Sequence, residues 1–181
     1  MKYTVVCVGK LKERFWKDAC AEYTKRLGAY AKVDMREVAD IDPAKAGGVD
    51  AARDKEGAAI LAALPPRAHV ILLAIEGKER SSEELSSRLD DLMLRGNSDI
   101  AFVIGGSDGV SDAVRARADE MLSFGRTTLP HNLARVVLLE QIRTLDKRRL
   151  REHMGRLDEA QMQRVDNAIA VSFGLHTDTM V

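Results

Sequence analysis

His131 follows Pro130 at the head of an apolar run, and Glu140 lies further along that run between Leu138-Leu139 and Ile142. An imidazole titrates near neutral pH and can take or give a proton there. A histidine at a helix start serves equally well as a cap or a packing group. A carboxylate among apolar neighbours is costly unless paired, so Glu140 either pairs with Arg135 or Arg143 or reaches into a site. Upstream, Gly105-Gly106 ends the apolar run Ile100–Ile104. With no Cβ in the way, a ligand can approach bare backbone there, or the pair simply turns a strand into a helix. It is not a dinucleotide fingerprint, because no third glycine falls at the required offset. Lys10, Lys12 and Arg14 cluster after the first apolar run and Lys78 follows the second. Such cations form a solvated face or contact phosphates.

The elements that must position these groups alternate along the chain. Tyr3–Gly9 reads as a buried strand, with Val5, Val6, Cys7 and Val8 unbroken, and Glu13–Gly28 as a helix on the Phe15, Ala19, Tyr23, Leu27 spacing. Lys32–Val38 alternates as an exposed or edge strand, and 39–48 is a loop of Asp, Pro and Gly. Ala51–Leu64 is a helix stopped by Pro65-Pro66, and Val70–Ile75 a second buried strand. Ser81 and Glu84 have capping-box spacing for a helix to Arg95. Ile100–Ile104 is then a strand, Asp112–Glu120 a helix, Thr127–Leu129 a short strand, and Val136–Ile142 a helix. Strands alternating with helices predict an α/β fold, a mainly parallel sheet with helices on both faces. In such a sheet ligands sit at the carboxyl ends of the strands, which directs attention to Gly105 and Gly106.

Composition narrows the classes. The chain has 181 residues, 45% hydrophobic and only 4% aromatic, so its core rests on Leu, Ile, Val, Ala and Met. The formal net charge is zero, so any nucleic-acid contact must come from a local patch or one shared between two subunits. Cys7 and Cys20 are too few for a disulfide framework and suit a cytoplasmic protein with reduced thiols. No apolar run has the length of a signal peptide or a membrane span, and no metal site is expected.

Taken in order, Val5-Val-Cys-Val-Gly-Lys-Leu-Lys12, Asp54-Lys-Glu-Gly57, Leu73-Ala-Ile-Glu-Gly-Lys78, Ser81-Ser-Glu-Glu84, Ile104-Gly-Gly-Ser-Asp-Gly109 and Leu129-Pro-His131 carry a family likeness. They resemble the SPOUT-superfamily methyltransferases that act on N3 of a pseudouridine in large-subunit ribosomal RNA, over about residues 1–142. The resemblance implies a C-terminal trefoil knot, a homodimer, S-adenosylmethionine as cofactor, and ribosomal RNA or the assembled ribosome as partner. It implies cofactor contacts at Leu73, Gly105 and the loop Phe124, Gly125, Arg126, Thr127, Thr128 and Leu129. His131 and Glu140 become the catalytic candidates, and Lys10, Lys12, Arg14, Lys78 and Arg135 the candidate RNA contacts.

The likeness fails after Ile142, where Arg143-Thr-Leu145 replaces the family's Tyr-Arg-Ala and no tyrosine follows. Residues 143–181 instead read as an atypical helical tail. Leu138-Leu-Glu-Gln-Ile-Arg-Thr-Leu-Asp-Lys-Arg-Arg-Leu150, Leu157-Asp-Glu-Ala-Gln-Met-Gln-Arg-Val-Asp166 and Ser172-Phe-Gly-Leu175 resemble the C-terminal end of MazF/PemK-type toxin endoribonucleases. The sequence therefore leaves three readings open: an active RNA methyltransferase, a cofactor-binding dimer impaired by its replaced C-terminus, and an RNA- or partner-binding module with a toxin-derived tail.

Overall fold

The apolar runs Val5–Val8, Val70–Ile75 and Ile100–Ile104 become strands in the middle of one sheet, and the alternating run Lys32–Val38 becomes its edge. The computed structural model describes the backbone of residues 1–148 and the side chains of residues 1–142. The elements are β1 (Lys2–Val8), α1 (Arg14–Leu27), β2 (Lys32–Val38), α2 (Pro43–Ala46), α3 (Val49–Ala63) and β3 (His69–Glu79), followed by α4 (Ser82–Leu94), β4 (Asp99–Ile104), α5 (Asp112–Arg117), β5 (Glu120–Ser123) and α6 (His131–Arg148). The strands pair in the order β2-β1-β4-β3-β5, and every pairing is parallel. The tail expected over residues 143–181 falls outside the described residues, apart from the part that continues α6 to Arg148.

Alternate residues of the central strands feed two separate cores. Tyr3, Val5 and Cys7 of β1 and Ile100, Phe102 and Ile104 of β4 pack with side chains of α1, α4 and α6. Val6, Val8, Ala101 and Val103 point the other way, onto Ile60 of α3 and Val114 of α5. Both sheet faces are thus covered, as all-parallel sheets require.

Local chemistry explains the boundaries. Ser81 Oγ accepts from the Glu84 N–H at 3.2 Å while Glu84 Oε2 accepts from the Ser81 N–H at 2.8 Å. That reciprocal pair starts α4 as its spacing predicts. The expected loop at 39–48 holds the short α2, whose first turn is capped by the Asp42 carboxylate on the Ala44 N–H.

Two expectations are corrected at the far edge. The helix expected over Asp112–Glu120 stops at Arg117, and the last strand is Glu120–Ser123, not Thr127–Leu129. Asp119 binds Val70 twice, its carboxylate accepting from the Val70 N–H at 2.7 Å and its own N–H donating to the Val70 carbonyl at 2.9 Å. Those bonds draw the chain onto β3 before the helix can continue. β3 also runs beyond Ile75, with a register shift against β5 between Leu73 and Lys78 that throws residues 74–77 out as a bulge.

Candidate functional site

The carboxyl ends of β1, β4, β3 and β5 leave a hollow that helices do not fill. Ile104 leads into Gly105-Gly106, and the chain reverses through Ser107-Asp108 to Gly109, with Gly106 and Gly109 bridged. Gly109 has φ +84°, a left-handed conformation in which a side chain would be strained. The turn is also crowded. A Cβ on Gly105 would stand 2.7 Å from Val110 Cγ1, and one on Gly106 would stand 3.1 Å from Glu56 Oε2. Glu56 is buried beneath this turn, where its carboxylate accepts from the Ile41 N–H at 2.8 Å and burial raises its pKa.

On the neighbouring strand, Leu73 is the last residue before the bulge, so residues 74–76 swing over the hollow. Beyond β5, Ser123 Oγ accepts from the Gly125 N–H and donates to the Gly125 carbonyl, both at 3.1 Å, which bends the loop 124–130 back over the same hollow. Leu73, Gly105, Phe124, Gly125, Thr127, Thr128, Leu129 and His131 all line one cavity of about 520 Å³. That size lies within the ~300–1,000 Å³ of small-molecule sites, and mostly apolar walls edged with backbone and hydroxyl groups suit an adenosyl ligand. Arg126, expected with its loop neighbours, is exposed and stands off the wall.

His131 opens α6 beside the end of β1. Its Nε2 lies 3.3 Å from where a Cβ on Gly9 would stand, and Gly9 has φ +81°, so a glycine is doubly required there. Burial and the nearby Arg135 cation lower the imidazole pKa, against an opposing pull from Asp40 and Glu13. His131 therefore favours the neutral form, the one able to accept a proton.

Arg135 corrects two expectations. Far from a surface that could meet RNA, it is fully buried. Its Nη2 donates to the carbonyls of Val8 at 2.9 Å and Gly9 at 2.7 Å, and its Nη1 to Glu37 Oε1 at 2.8 Å. Nor is its partner Glu140. Glu37 Oε1 also accepts from the Leu11 N–H at 3.0 Å, so one carboxylate ties α6, β2 and the loop after β1 together. Glu140, expected either to pair structurally or to reach the site, accepts from Gln141 Nε2 at 3.0 Å and is absent from the cavity wall. At about 1.5 Å per residue it lies roughly 13 Å along the helix axis from His131.

Lys10, Lys12, Arg14 and Lys78 are exposed, and Arg14 pairs with Asp18 at 3.5 Å. Among the described residues no cluster of His, Cys, Asp and Glu could hold a metal ion, and no helix is long and apolar enough to cross a membrane. Burial pushes the Cys7 thiol up to about 12. Two charged wall residues escaped the sequence reading, Glu76 on the β3 bulge and Arg115 on α5. Glu76 left a trace, a carboxylate directly after the apolar run Val70–Ile75. Arg115 left none, because only the tertiary fold brings α5 to this edge.

Comparisons with known proteins match most of the chain. A family model described as a predicted SPOUT methyltransferase matches residues 1–147. The chain is 52% identical over 145 residues to the ribosomal RNA large subunit methyltransferase H of Bacillus pumilus (strain SAFR-032), covering 78% of this chain and 91% of that protein. Identity and coverage are the same for the protein of that name in Listeria monocytogenes serotype 4a (strain HCC23). Against the one in Lactobacillus acidophilus (strain ATCC 700396 / NCK56 / N2 / NCFM) the identity is 51% over 145 residues, again covering 78% and 91%. The family match stops at residue 147, well short of Val181.

Proposed function

Given that the chain belongs to the SPOUT methyltransferase family, we propose that it methylates N3 of a pseudouridine in large-subunit ribosomal RNA. The observation that carries this is the meeting of Leu73, Gly105 and the 124–129 loop around one cavity. S-adenosylmethionine supplies the methyl group on a sulfonium that leaves as a neutral thioether. Leu73, Gly105 and the loop 124–129, Arg126 apart, would hold the adenosyl part through backbone groups and apolar contact. His131, on the same wall, orients the target base or accepts its imide proton. Because the leaving group is already activated, positioning supplies much of the rate. Glu140 then serves the helix and takes no part in proton transfer.

The exposed cations Lys10, Lys12, Arg14 and Lys78 meet the RNA backbone. A homodimer in the cytoplasm, with the trefoil knot of the resembled family, would join two such patches where a neutral monomer has only one. The division at residue 142 separates this catalytic unit from the tail, although α6 itself continues to Arg148.

A second reading is favoured by one observation, that the family match ends at residue 147. If the family C-terminus that Arg143-Thr-Leu145 and the following residues replace is needed to grip RNA, this chain binds cofactor without transferring methyl groups, and its own tail serves another partner. Incubation with unmodified large subunits or ribosomes and methyl-labelled cofactor decides between them. Label appearing at N3 of a pseudouridine supports the first. Cofactor binding without label supports the second.

A further inference from the structure

Three ionisable side chains line the cavity, and they stand at two poles. His131 is beside the end of β1, whereas Glu76 is on the β3 bulge and Arg115 reaches in from α5. β4 lies between β1 and β3. At about 4.8 Å per strand spacing, roughly 10 Å of cavity separates the two strand ends. Apolar, glycine and hydroxyl-bearing residues make up the rest of the wall. At the second pole Arg115 Nη1 donates to Glu76 Oε1. The two side chains remain 39% and 52% exposed, so this is a water-screened pair that contributes little to stability and opens readily.

A guanidinium and a carboxylate side by side at the edge of an apolar cavity complement a ligand carrying both charges on adjacent atoms. An α-amino acid end is such a ligand, with an ammonium and a carboxylate on one carbon. We propose that Glu76 and Arg115 exchange their mutual ion pair for the amino-acid end of the cofactor, Arg115 taking its carboxylate and Glu76 its ammonium. This rests on the S-adenosylmethionine reading of the cavity. The guanidinium fork can meet a carboxylate through two parallel N–H donors, and its contact with Glu76 engages only one of them. Glu76 is held ionised for that role, chiefly by its own backbone N–H and then by Arg115. The pole thus selects an intact S-adenosyl amino acid over adenosine derivatives that lack that end.

Calorimetry on the full chain tests this with three ligands: S-adenosylhomocysteine, its carboxyl methyl ester, and 5′-methylthioadenosine, which lacks the amino-acid end. The native chain should prefer S-adenosylhomocysteine to each of the others by about tenfold or more. Glu76→Gln and Arg115→Gln, both at half-exposed positions, should each remove most of that preference while leaving methylthioadenosine affinity within about twofold. Equal binding of the acid and its ester by the native chain, or an unchanged preference in both variants, overturns the subsite and leaves the cofactor reading standing. Failure of all three ligands to bind the native chain overturns both.

Discussion

His131 and Arg135 sit one turn apart on α6 and do opposite things. The arginine is locked to Val8, Gly9 and Glu37, and the histidine one turn earlier is held over Gly9 at the cavity wall. If His131 takes the imide proton, His131→Asn should lower the methyl-transfer rate about 100-fold with S-adenosylhomocysteine affinity little changed, read by single-turnover kinetics and calorimetry. Because burial and Arg135 depress its pKa, the acid limb of the native rate profile should fall below about pH 6.5, the ordinary imidazole value. The sign for stability follows. The unfolded chain binds the proton more readily, so this group's contribution is intact above that pH and is lost as pH falls through the depressed folded value. Arg135→Met should destabilise the fold by about 3 kcal/mol in denaturant melts, because it strands Glu37 and two carbonyls. From sequence, Arg135 looks like one more cation. Its main acceptors are backbone carbonyls, which every residue has, so nothing in the sequence marks them.

At the scale of elements, glycine positions decide how closely backbones approach. A Cβ on Gly77 would meet backbone atoms of Leu122 and Met121 at 2.7 to 2.8 Å, and those atoms cannot step aside. Gly77→Ala should therefore cost about 1–3 kcal/mol in thermal unfolding and widen the cavity edge between β3 and β5. Gly57→Ala should cost a similar amount, since its Cβ would fall 2.1 Å from Ser111 Oγ inside the core. Most elements were legible because their signals are local. The capping box of α4 is written in Ser81 and Glu84, and the buried strands in unbroken Val and Ile. β5 was not legible. Its four residues, Glu-Met-Leu-Ser, are too few to show a period, and Asp119 acts on Val70, a distant residue. Family likeness, rather than any local physical signal, points to the loop Phe124–Leu129, and all of it except Arg126 lines the cavity.

For the whole molecule, a zero net charge sets the terms of RNA binding. A monomer with balanced charge offers a long polyanion little attraction beyond its local cations. The proposed dimer should therefore run at about twice 20.0 kDa in light scattering at micromolar concentration. A monomer there would remove the composite RNA surface. Lys10→Gln combined with Lys12→Gln should weaken RNA binding across sequences and flatten its salt dependence, with cofactor affinity untouched.

All of this depends on one cavity being the adenosyl site. The most direct measurement is an amide-resolved NMR titration of the full chain with S-adenosylhomocysteine. Shifts should concentrate at residues 73–76, 105–110 and 124–131, the three segments that line the cavity. Shifts centred on α1 or α3 instead, or none at saturating ligand, would contradict the assignment and with it the methyl-transfer function.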